Sequence, residues 1–244
     1  QALLPVAQEL GLVSVPIGEE GHLHLESFGL EGGRTKSLRQ SRSRLLRQGL
    51  TFEFWEAPHS PHQLNLLSAV SQGWLAAKRF RESRFGLGWF DRDYLEQCSV
   101  AVVRDAREKV QAFASCFYPA SGNAVGLDLL RHLPSAPTGI MDLLVVELAL
   151  HHQECGYRML NLGLSPLASE VSASGWTHHS LAAARRVLQT LVPYNFGGLR
   201  RFKNKFRPEW QPRYMLLPRR RDLIPAALMA WSVEPRLSGL WLNP

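Results

Sequence analysis

The sequence predicts a mixed α/β fold, in which helices cover a mixed β-sheet. Two observations support this prediction. Short apolar runs such as Ser99–Arg104 and Val110–Tyr118 are typical of strands. A longer segment, about Gly139–Glu154, is apolar nearly all round, which indicates a helix buried against a sheet. The chain has 244 residues and is 45% hydrophobic, enough for one substantial core or two smaller ones.

The first 58 residues predict a small lobe. Residues 12–30 are strand-like, and a basic helix over Thr35–Gln48 ends at Gly49. Leu50–Glu56 alternates apolar and polar side chains and predicts a strand. The prolines of Pro58–Pro61 mark a boundary there. The predicted domains are therefore residues 1–58, residues 59–218 and a basic, apolar C-terminal tail over residues 219–244.

The second lobe has a more regular order of elements. In chain order the sequence predicts a helix over His62–Arg79, a short helix over Asp91–Cys98, strands over Ser99–Arg104, Val110–Tyr118 and Ala124–Leu130, the long helix with Thr138 and Gly156 as its caps, a strand over Tyr157–Leu164, a helix over about Ser180–Leu191 and a strand over Arg213–Leu217. Three meandering strands, a buried helix and a further strand form the core order of a GNAT acyltransferase lobe.

The positive charge is concentrated in separate segments. The net charge is +7, with six cations and no acid in Arg34–Arg47 and nine cations in Arg200–Arg221. Within Tyr194–Pro218 the cations alternate with six aromatic rings and only one acid, Glu209. This pattern predicts a partner that carries phosphate beside an apolar or stackable group, which is either a nucleic acid or an anionic lipid.

Several common chemistries have no motif in this chain. It lacks GxxxxGK[ST], GxSxG, HExxH and a Rossmann GxGxxG after a strand. The [QR]xxGx[GA] loop that holds the pyrophosphate of acetyl-coenzyme A in most GNAT lobes is also missing, so we expect an acyl donor other than a coenzyme A thioester. The three cysteines contain no CxxC pair, so a zinc site is not predicted, and with these motifs absent no cofactor is predicted. No segment is long enough to span a bilayer.

Asp128 and Arg131 are the strongest candidates for site residues on chemical grounds. Asp128 lies within an apolar strand, where an unpaired carboxylate is costly to bury. Arg131 follows three residues later. The sequence leaves two interpretations open, a structural ion pair and a pair that faces a cleft.

At these residues the chain resembles a known family. The segments AVVRD (101–105), GLDLLRHLPSAPTGIMDLL (126–144), GYRMLNLGLSPL (156–167) and YNFGGLRRFKNKFRPEWQPRYM (194–215) resemble the C-terminal catalytic region of MprF-type aminoacyl-phosphatidylglycerol synthases. The resemblance runs from about Leu12 to Pro218 and is greatest to the alanyl-phosphatidylglycerol synthase branch. It implies two GNAT-like lobes in tandem, of which the first is only partly present.

The resemblance also implies a reaction and a location. The aminoacyl group of an aminoacyl-tRNA would be transferred to a glycerol hydroxyl of phosphatidylglycerol, without a cofactor. The product lowers the negative charge of the membrane and confers resistance to cationic antimicrobial agents. The full-length protein would carry an N-terminal transmembrane domain, with this region on the cytoplasmic face of the bacterial inner membrane.

Roles for individual residues follow from the same resemblance. Asp128 would either accept the proton of the lipid hydroxyl or hold the α-ammonium of the aminoacyl group. Arg131 would bind the lipid phosphodiester or orient Asp128. The phosphate of lipid or tRNA would be bound by Lys203 and Lys205, with Arg200 and Arg201 as further members of the same patch. Tyr194 and Asn195 open this patch and would reach the reacting ester. The Arg34–Arg47 cluster would contact either tRNA or the membrane surface.

Two further points remain as expectations. No surplus of acids lies near the motifs, which favours alanine over lysine as the transferred group.

The alternatives to this function are a tRNA-dependent peptidoglycan-bridge aminoacyltransferase, which would form an amide, and a non-catalytic module that binds RNA or an anionic membrane. A coenzyme A acetyltransferase is disfavoured by the missing pyrophosphate loop.

Overall fold

A computed structural model describes residues 3–78, 90–120, 122–166 and 196–222. These residues divide into two compact units. The central unit contains the described residues between 24 and 161. The flanking unit contains residues 3–23, 162–166 and 196–222. Each unit is described by itself below.

The predicted mixed α/β fold is confirmed, and so is the predicted order of the elements that fall in the described residues. The helices are α1 (Leu4–Glu9), α2 (Lys36–Arg47), α3 (Pro61–Lys78), α4 (Arg92–Leu95), α5 (Ile140–Glu154) and α6 (Phe196–Asn204). The strands are β1 (Val13–His24), β2 (Thr51–Trp55), β3 (Ser99–Arg104), β4 (Val110–Phe117), β5 (Ala124–His132), β6 (Met159–Pro166) and β7 (Glu209–Leu217). The predicted helix over about Ser180–Leu191 and nearly all of the C-terminal tail lie outside the described residues.

In the central unit, β2, β3, β4 and β5 pair in sequence order as antiparallel neighbours. The start of β6 then pairs in parallel with β5, from Ala124 opposite Met159 to Gly126 opposite Asn161. A parallel neighbour requires a crossover, and α5 provides it. Strands β3 and β4 are buried along almost their whole length, which explains their continuous apolar sequences.

The hydrophobic core of the central unit joins α3 and α4 to the sheet. Leu67 and Val70 from α3, and Leu95 from α4, pack with residues of the strands such as Val102 and Phe113. Phe113 is fully buried. This core fixes α3 and α4 beside β5, the strand that carries Asp128 and Arg131.

In the flanking unit, β1 pairs antiparallel with β7, from Val13 opposite Leu217 to His22 opposite Glu209. The register shifts between Pro16 and Gly18, where β1 contains one extra residue. Strand β7 begins four residues before the predicted strand. Helix α6 was not predicted, although it lies within the basic, aromatic segment.

The caps of α5 differ in part from prediction. Thr138 does not cap the helix: the N-cap is Gly139, at φ +89°, and no side chain bonds to the first turn. Gly156 follows the C-cap at φ +83°, as predicted for a glycine that ends a helix. A left-handed N-cap suits glycine, which has no Cβ to clash.

The predicted lobe boundary near residue 58 remains a prediction. In the central unit, β2 precedes that boundary and pairs with β3, which follows it. Among the helices that the structure describes, none combines the length and the apolarity needed to cross a bilayer.

Candidate active site

Asp128 lies at a β-bulge in the middle of β5. Two residues of β5, Asp128 and Leu129, face the single residue Ser115 of β4. The backbone N–H of Leu129 donates to Oγ of Ser115 at 3.0 Å, so the bulge keeps a hydrogen-bond partner for this group. A bulge redirects a side chain and bends the strand, and bulges are frequent beside active sites. Leu129 is buried while Asp128 is half-buried, so the carboxylate is the group that the bulge turns away from the core.

Tyr94 orients the Asp128 carboxylate. The side chain of Asp91 caps α4 by accepting from the N–H of Tyr94 at 3.1 Å, which places Tyr94 in the first turn. The phenol of Tyr94 then donates to Oδ2 of Asp128 at 2.7 Å. Burial, followed by the hydrogen bond to Asp128, raises the pKa of Tyr94 well above its ordinary value. The phenol therefore stays protonated at neutral pH and remains a donor.

Cys98 lies beside this pair. Burial raises the pKa of the Cys98 thiol, the hydrogen bond with Tyr94 opposes that rise, and the nearby charge of Asp128 adds to it. A buried thiol with a raised pKa is a weak nucleophile, because the thiolate is the reactive form. Cys98 thus lines the Asp128 site without being a candidate for covalent chemistry.

Arg131 is held by α3. Its side chain is buried, with 5% relative exposure, and its guanidinium donates to Oγ of Ser71. The guanidinium also lies 5.2 Å from the centre of the Trp74 ring. Ser71 and Trp74 are three residues apart, so they share one face of α3. These contacts fasten β5 to α3, and the predicted role of Arg131 in a site with Asp128 remains a prediction.

In the flanking unit, Lys203 is a buried cation. It is 5% exposed, and its Nζ donates to the carbonyl oxygens of Gly163 and Leu164 on β6, both at 2.9 Å. Burial lowers the pKa of Lys203 to about 8, and the charge of Glu20 opposes this shift. Two of the three ammonium N–H groups are thus used by backbone, which leaves one for another acceptor.

Acids from β1 neutralise two arginines of the basic segment. Arg200 pairs with Glu19, and its guanidinium stacks 3.7 Å from the centre of the Trp210 ring. Arg213 pairs with Glu20. The sequence placed only Glu209 within this segment, because Glu19 and Glu20 reach it through the pairing of β1 with β7.

Arg201 and Lys205 are the exposed members of the predicted patch. They are four residues apart on and just after α6. Arg201 contacts the Gly197 carbonyl at 3.4 Å, and the Lys205 ammonium lies 5.7 Å from the Phe202 ring. Both side chains remain accessible to an external phosphate. Tyr194 and Asn195 lie outside the described residues.

The predicted site residues thus fall into two groups. Asp128 and Arg131 belong to the central unit, and the four cations of α6 and its end belong to the flanking unit. That the two groups serve one reaction centre remains a prediction. Within the described ranges, no cluster of three or more His, Cys, Asp or Glu side chains could hold a metal ion.

A family model and a curated relative that match this chain carry the same description, phosphatidylglycerol lysyltransferase. A family model described as "Phosphatidylglycerol lysyltransferase, C-terminal" matches residues 1–217. A phosphatidylglycerol lysyltransferase of Bacillus subtilis (strain 168) is 34% identical over 209 residues, which is 85% of this chain and 24% of that protein. The chain therefore spans about a quarter of the length of this curated relative.

Two solved structures share the fold. The structure of L-PGS from Bacillus licheniformis aligns with a TM-score of 0.84 at 32% identity, over 96% of this chain and 70% of that one. The C-terminal domain of a putative lysylphosphatidylglycerol synthetase from Agrobacterium fabrum aligns with a TM-score of 0.79 at 38% identity, over 95% and 69% of the two chains.

Proposed function

The chain belongs to the phosphatidylglycerol lysyltransferase C-terminal family, and from this premise we propose that it transfers an aminoacyl group from aminoacyl-tRNA to phosphatidylglycerol. The observation that carries the proposal is the Asp128 carboxylate, placed on a bulge and oriented by Tyr94. A carboxylate held in this way is suited to accept a proton from a hydroxyl nucleophile.

The reaction exchanges one ester for another. The glycerol hydroxyl oxygen of the lipid bonds to the aminoacyl carbonyl carbon, and the bond from that carbon to the terminal ribose oxygen of tRNA breaks. Asp128 accepts the hydroxyl proton, which then passes to the departing ribose oxygen. Because the donor is already an activated ester, catalysis consists of alignment, proton transfer and stabilisation of the oxyanion.

The cations divide between binding and support. Arg201 and Lys205 are exposed and carry the role of phosphate ligands. Lys203 and Arg200 hold α6 against β6, β1 and β7 through their bonds to backbone carbonyls and to Glu19. They act by positioning α6, which carries Arg201 and ends one residue before Lys205.

The loop before α5 supports a donor other than coenzyme A. GNAT lobes cradle pyrophosphate with backbone N–H groups at this helix N-terminus, but Pro134 and Pro137 have none. A Cβ added to Gly139 would lie 3.0 Å from Oγ of Ser41 and 3.3 Å from a nitrogen of Arg44. Side chains from α2 therefore already occupy the space beside this helix end.

We propose alanine as the transferred residue. A lysyl side chain would require a carboxylate for its ammonium group. Two acids that β1 brings beside the basic segment, Glu19 and Glu20, are paired with Arg200 and Arg213. The curated relatives are named lysyltransferases, so the test compares tRNA charged with alanine and tRNA charged with lysine.

For the full-length protein we propose an N-terminal membrane domain, which the length of the relatives would accommodate. This region would then act on the cytoplasmic face of the bacterial inner membrane. Aminoacylation of phosphatidylglycerol adds a positive charge to an anionic lipid and so weakens the attraction of cationic antimicrobial peptides to the membrane.

The test is transfer from charged tRNA to lipid vesicles. The chain is incubated with phosphatidylglycerol vesicles and tRNA charged with labelled alanine or labelled lysine, and lipids are separated by thin-layer chromatography. We expect alanyl-phosphatidylglycerol, with a loss of at least 100-fold for Asp128→Asn in a folded variant. Lysyl-phosphatidylglycerol alone would overturn the choice of alanine. An alkali-stable amide on a muropeptide acceptor, or no lipid product, would overturn the reaction.

A further inference from the structure

Helix α2 of the central unit carries a cationic outer surface. Leu38 and Leu45 are 1% and 0% exposed and fix the inner side of the helix. On the outer side, Lys36 and Arg47 are exposed, with Gln40 and Ser43 between them at helical spacing. These four positions extend over about 16 Å along the helix axis. We call Lys36, Arg39, Gln40, Ser43, Arg44 and Arg47 the α2 basic face.

Most of the charge on this face is not cancelled within the protein. Arg42, on the inner side, forms an ion pair with Glu147 at 2.6 Å. Arg39 and Arg44 instead donate to neutral backbone carbonyls, Arg39 to Gly32 and Arg44 to Thr138. Such bonds orient a guanidinium without neutralising it. In the part of the chain that the structure describes, no carboxylate pairs with Lys36, Arg39, Arg44 or Arg47.

The chemistry of the α2 basic face fits a sugar-phosphate backbone better than a lipid surface. Helices that lie in a membrane interface bury an apolar face in the acyl region. Here the buried leucines face the protein core, and the α2 basic face itself has no apolar or aromatic side chain. A hollow of about 640 Å³ runs along it, lined by serine, glutamine and arginine side chains of α2.

From these observations we propose that the α2 basic face binds the sugar-phosphate backbone of the tRNA that donates the aminoacyl group. This inference rests on the proposed function for the identity of the RNA. Arginine and lysine neutralise the phosphates, and the hydroxyl and amide groups between them donate to or accept from phosphate and ribose oxygens. Such contacts give affinity and position without reading base sequence.

The experiment measures binding of unfractionated, deacylated tRNA, which cannot react. Fluorescence anisotropy gives the affinity over a range of salt concentrations for the chain and for Lys36→Gln/Arg47→Gln. We expect the variant to bind about tenfold more weakly near 0.1 M salt. The slope of log affinity against log salt should fall in magnitude by about two, one for each lost phosphate contact.

The matched control is Arg107→Gln/Lys109→Gln, which removes two exposed cations from the turn between β3 and β4. It should keep the affinity and the salt slope of the parent chain. Thermal unfolding of both double variants checks the fold. Co-sedimentation with phosphatidylglycerol vesicles measures lipid binding, and the α2 variant should bind the vesicles as well as the parent chain does.

The outcomes separate this proposal from the proposed function. Unchanged tRNA affinity and slope in the α2 variant would overturn the tRNA surface, even if the parent chain transfers aminoacyl groups. Loss of vesicle binding with tRNA binding intact would assign the surface to lipid. Asp128→Asn should bind tRNA like the parent yet fail to transfer. A parent chain that binds tRNA through α2 but forms no lipid product would leave the surface standing and refute the function.

Discussion

The phenol of Tyr94 and the carboxylate of Asp128 form a 2.7 Å hydrogen bond between α4 and the bulge of β5. The bond joins residues 34 positions apart in the chain. It fixes one carboxylate oxygen, while the Asp128 side chain remains only half-buried and therefore accessible. A proton acceptor needs this combination of a defined orientation and access to a substrate.

Replacing this phenol should impair turnover more than binding. Tyr94→Phe keeps the ring but removes the donor, so Asp128 loses its orientation. We expect aminoacyl transfer to fall about tenfold in kcat with KM for the lipid within about twofold, and stability to fall by about 1 kcal/mol. Tyr157→Phe, at another half-buried tyrosine of the central unit, is the control and should retain activity. Full activity of Tyr94→Phe would show that Asp128 does not depend on the phenol.

Lys203 should make folding stability depend on alkaline pH. Its pKa is lowered to about 8 in the folded chain from an ordinary value of 10.5, so between these values the unfolded chain binds more protons. Stability therefore rises with pH across this window, by up to about 3 kcal/mol. Since other groups also titrate there, the measured quantity is the difference in unfolding free energy between the parent and Lys203→Met at pH 8 and pH 10.5.

The difference should grow in favour of the parent as pH rises. Lys205→Met, at an exposed lysine two residues away, is the matched control for the loss of a lysine side chain. If the parent and Lys203→Met kept a constant difference across the window, the ammonium group would not be desolvated in solution.

Substitution of Arg200 should lower the free energy of unfolding more than substitution of Arg201. Arg200→Gln leaves Glu19, whose side chain is 14% exposed, without its cation and removes the stacking on Trp210. We expect a loss of about 1–3 kcal/mol in urea unfolding. Arg201 is exposed, so Arg201→Gln should change stability by less than about 0.5 kcal/mol. A neutral effect of Arg200→Gln would show that the pair with Glu19 and the stacking on Trp210 add nothing to stability.

Gly18 allows β1 and β6 to approach closely. A Cβ at this position would lie 2.5 Å from the backbone oxygen of Ser165 and 2.9 Å from Cα of Pro166. These backbone atoms cannot move aside as a flexible side chain would. Gly18→Ala should therefore destabilise the chain by more than about 2 kcal/mol in thermal unfolding. Gly29→Ala, where no atom lies within 4 Å, should leave stability nearly unchanged, and a comparable loss there would contradict the steric explanation.

The predicted strands and helices agreed best with the structure where the pattern was local. Residues 99–104, 110–117 and 140–154 were located from apolar runs, since elements that are buried on nearly all sides carry few polar side chains. Helix α6 was not predicted from the alternation of cations and aromatic rings in its segment. Yet Leu199, Phe202 and Phe206 recur at i, i+3 and i+7, a spacing that indicates one face of a helix.

The candidate site was predictable only in part. Asp128 stood out because a carboxylate within an apolar strand is costly at any position in a fold. Its partner Tyr94 did not stand out, because a tyrosine in a short amphipathic segment has many possible neighbours. The bulge that turns Asp128 depends on the register between β4 and β5, and neither strand specifies that register by itself.

From its sequence alone the chain shows its family, the order of its elements and an excess of cations that attracts polyanions. Only the tertiary structure decides which of those cations are already used. Glu19 and Glu20 neutralise Arg200 and Arg213 across separations of 181 and 193 residues, and the carbonyls of β6 hold Lys203. The physical reason is that a local pattern reports burial and charge, whereas the partner of each charge is set by strand pairing between distant segments.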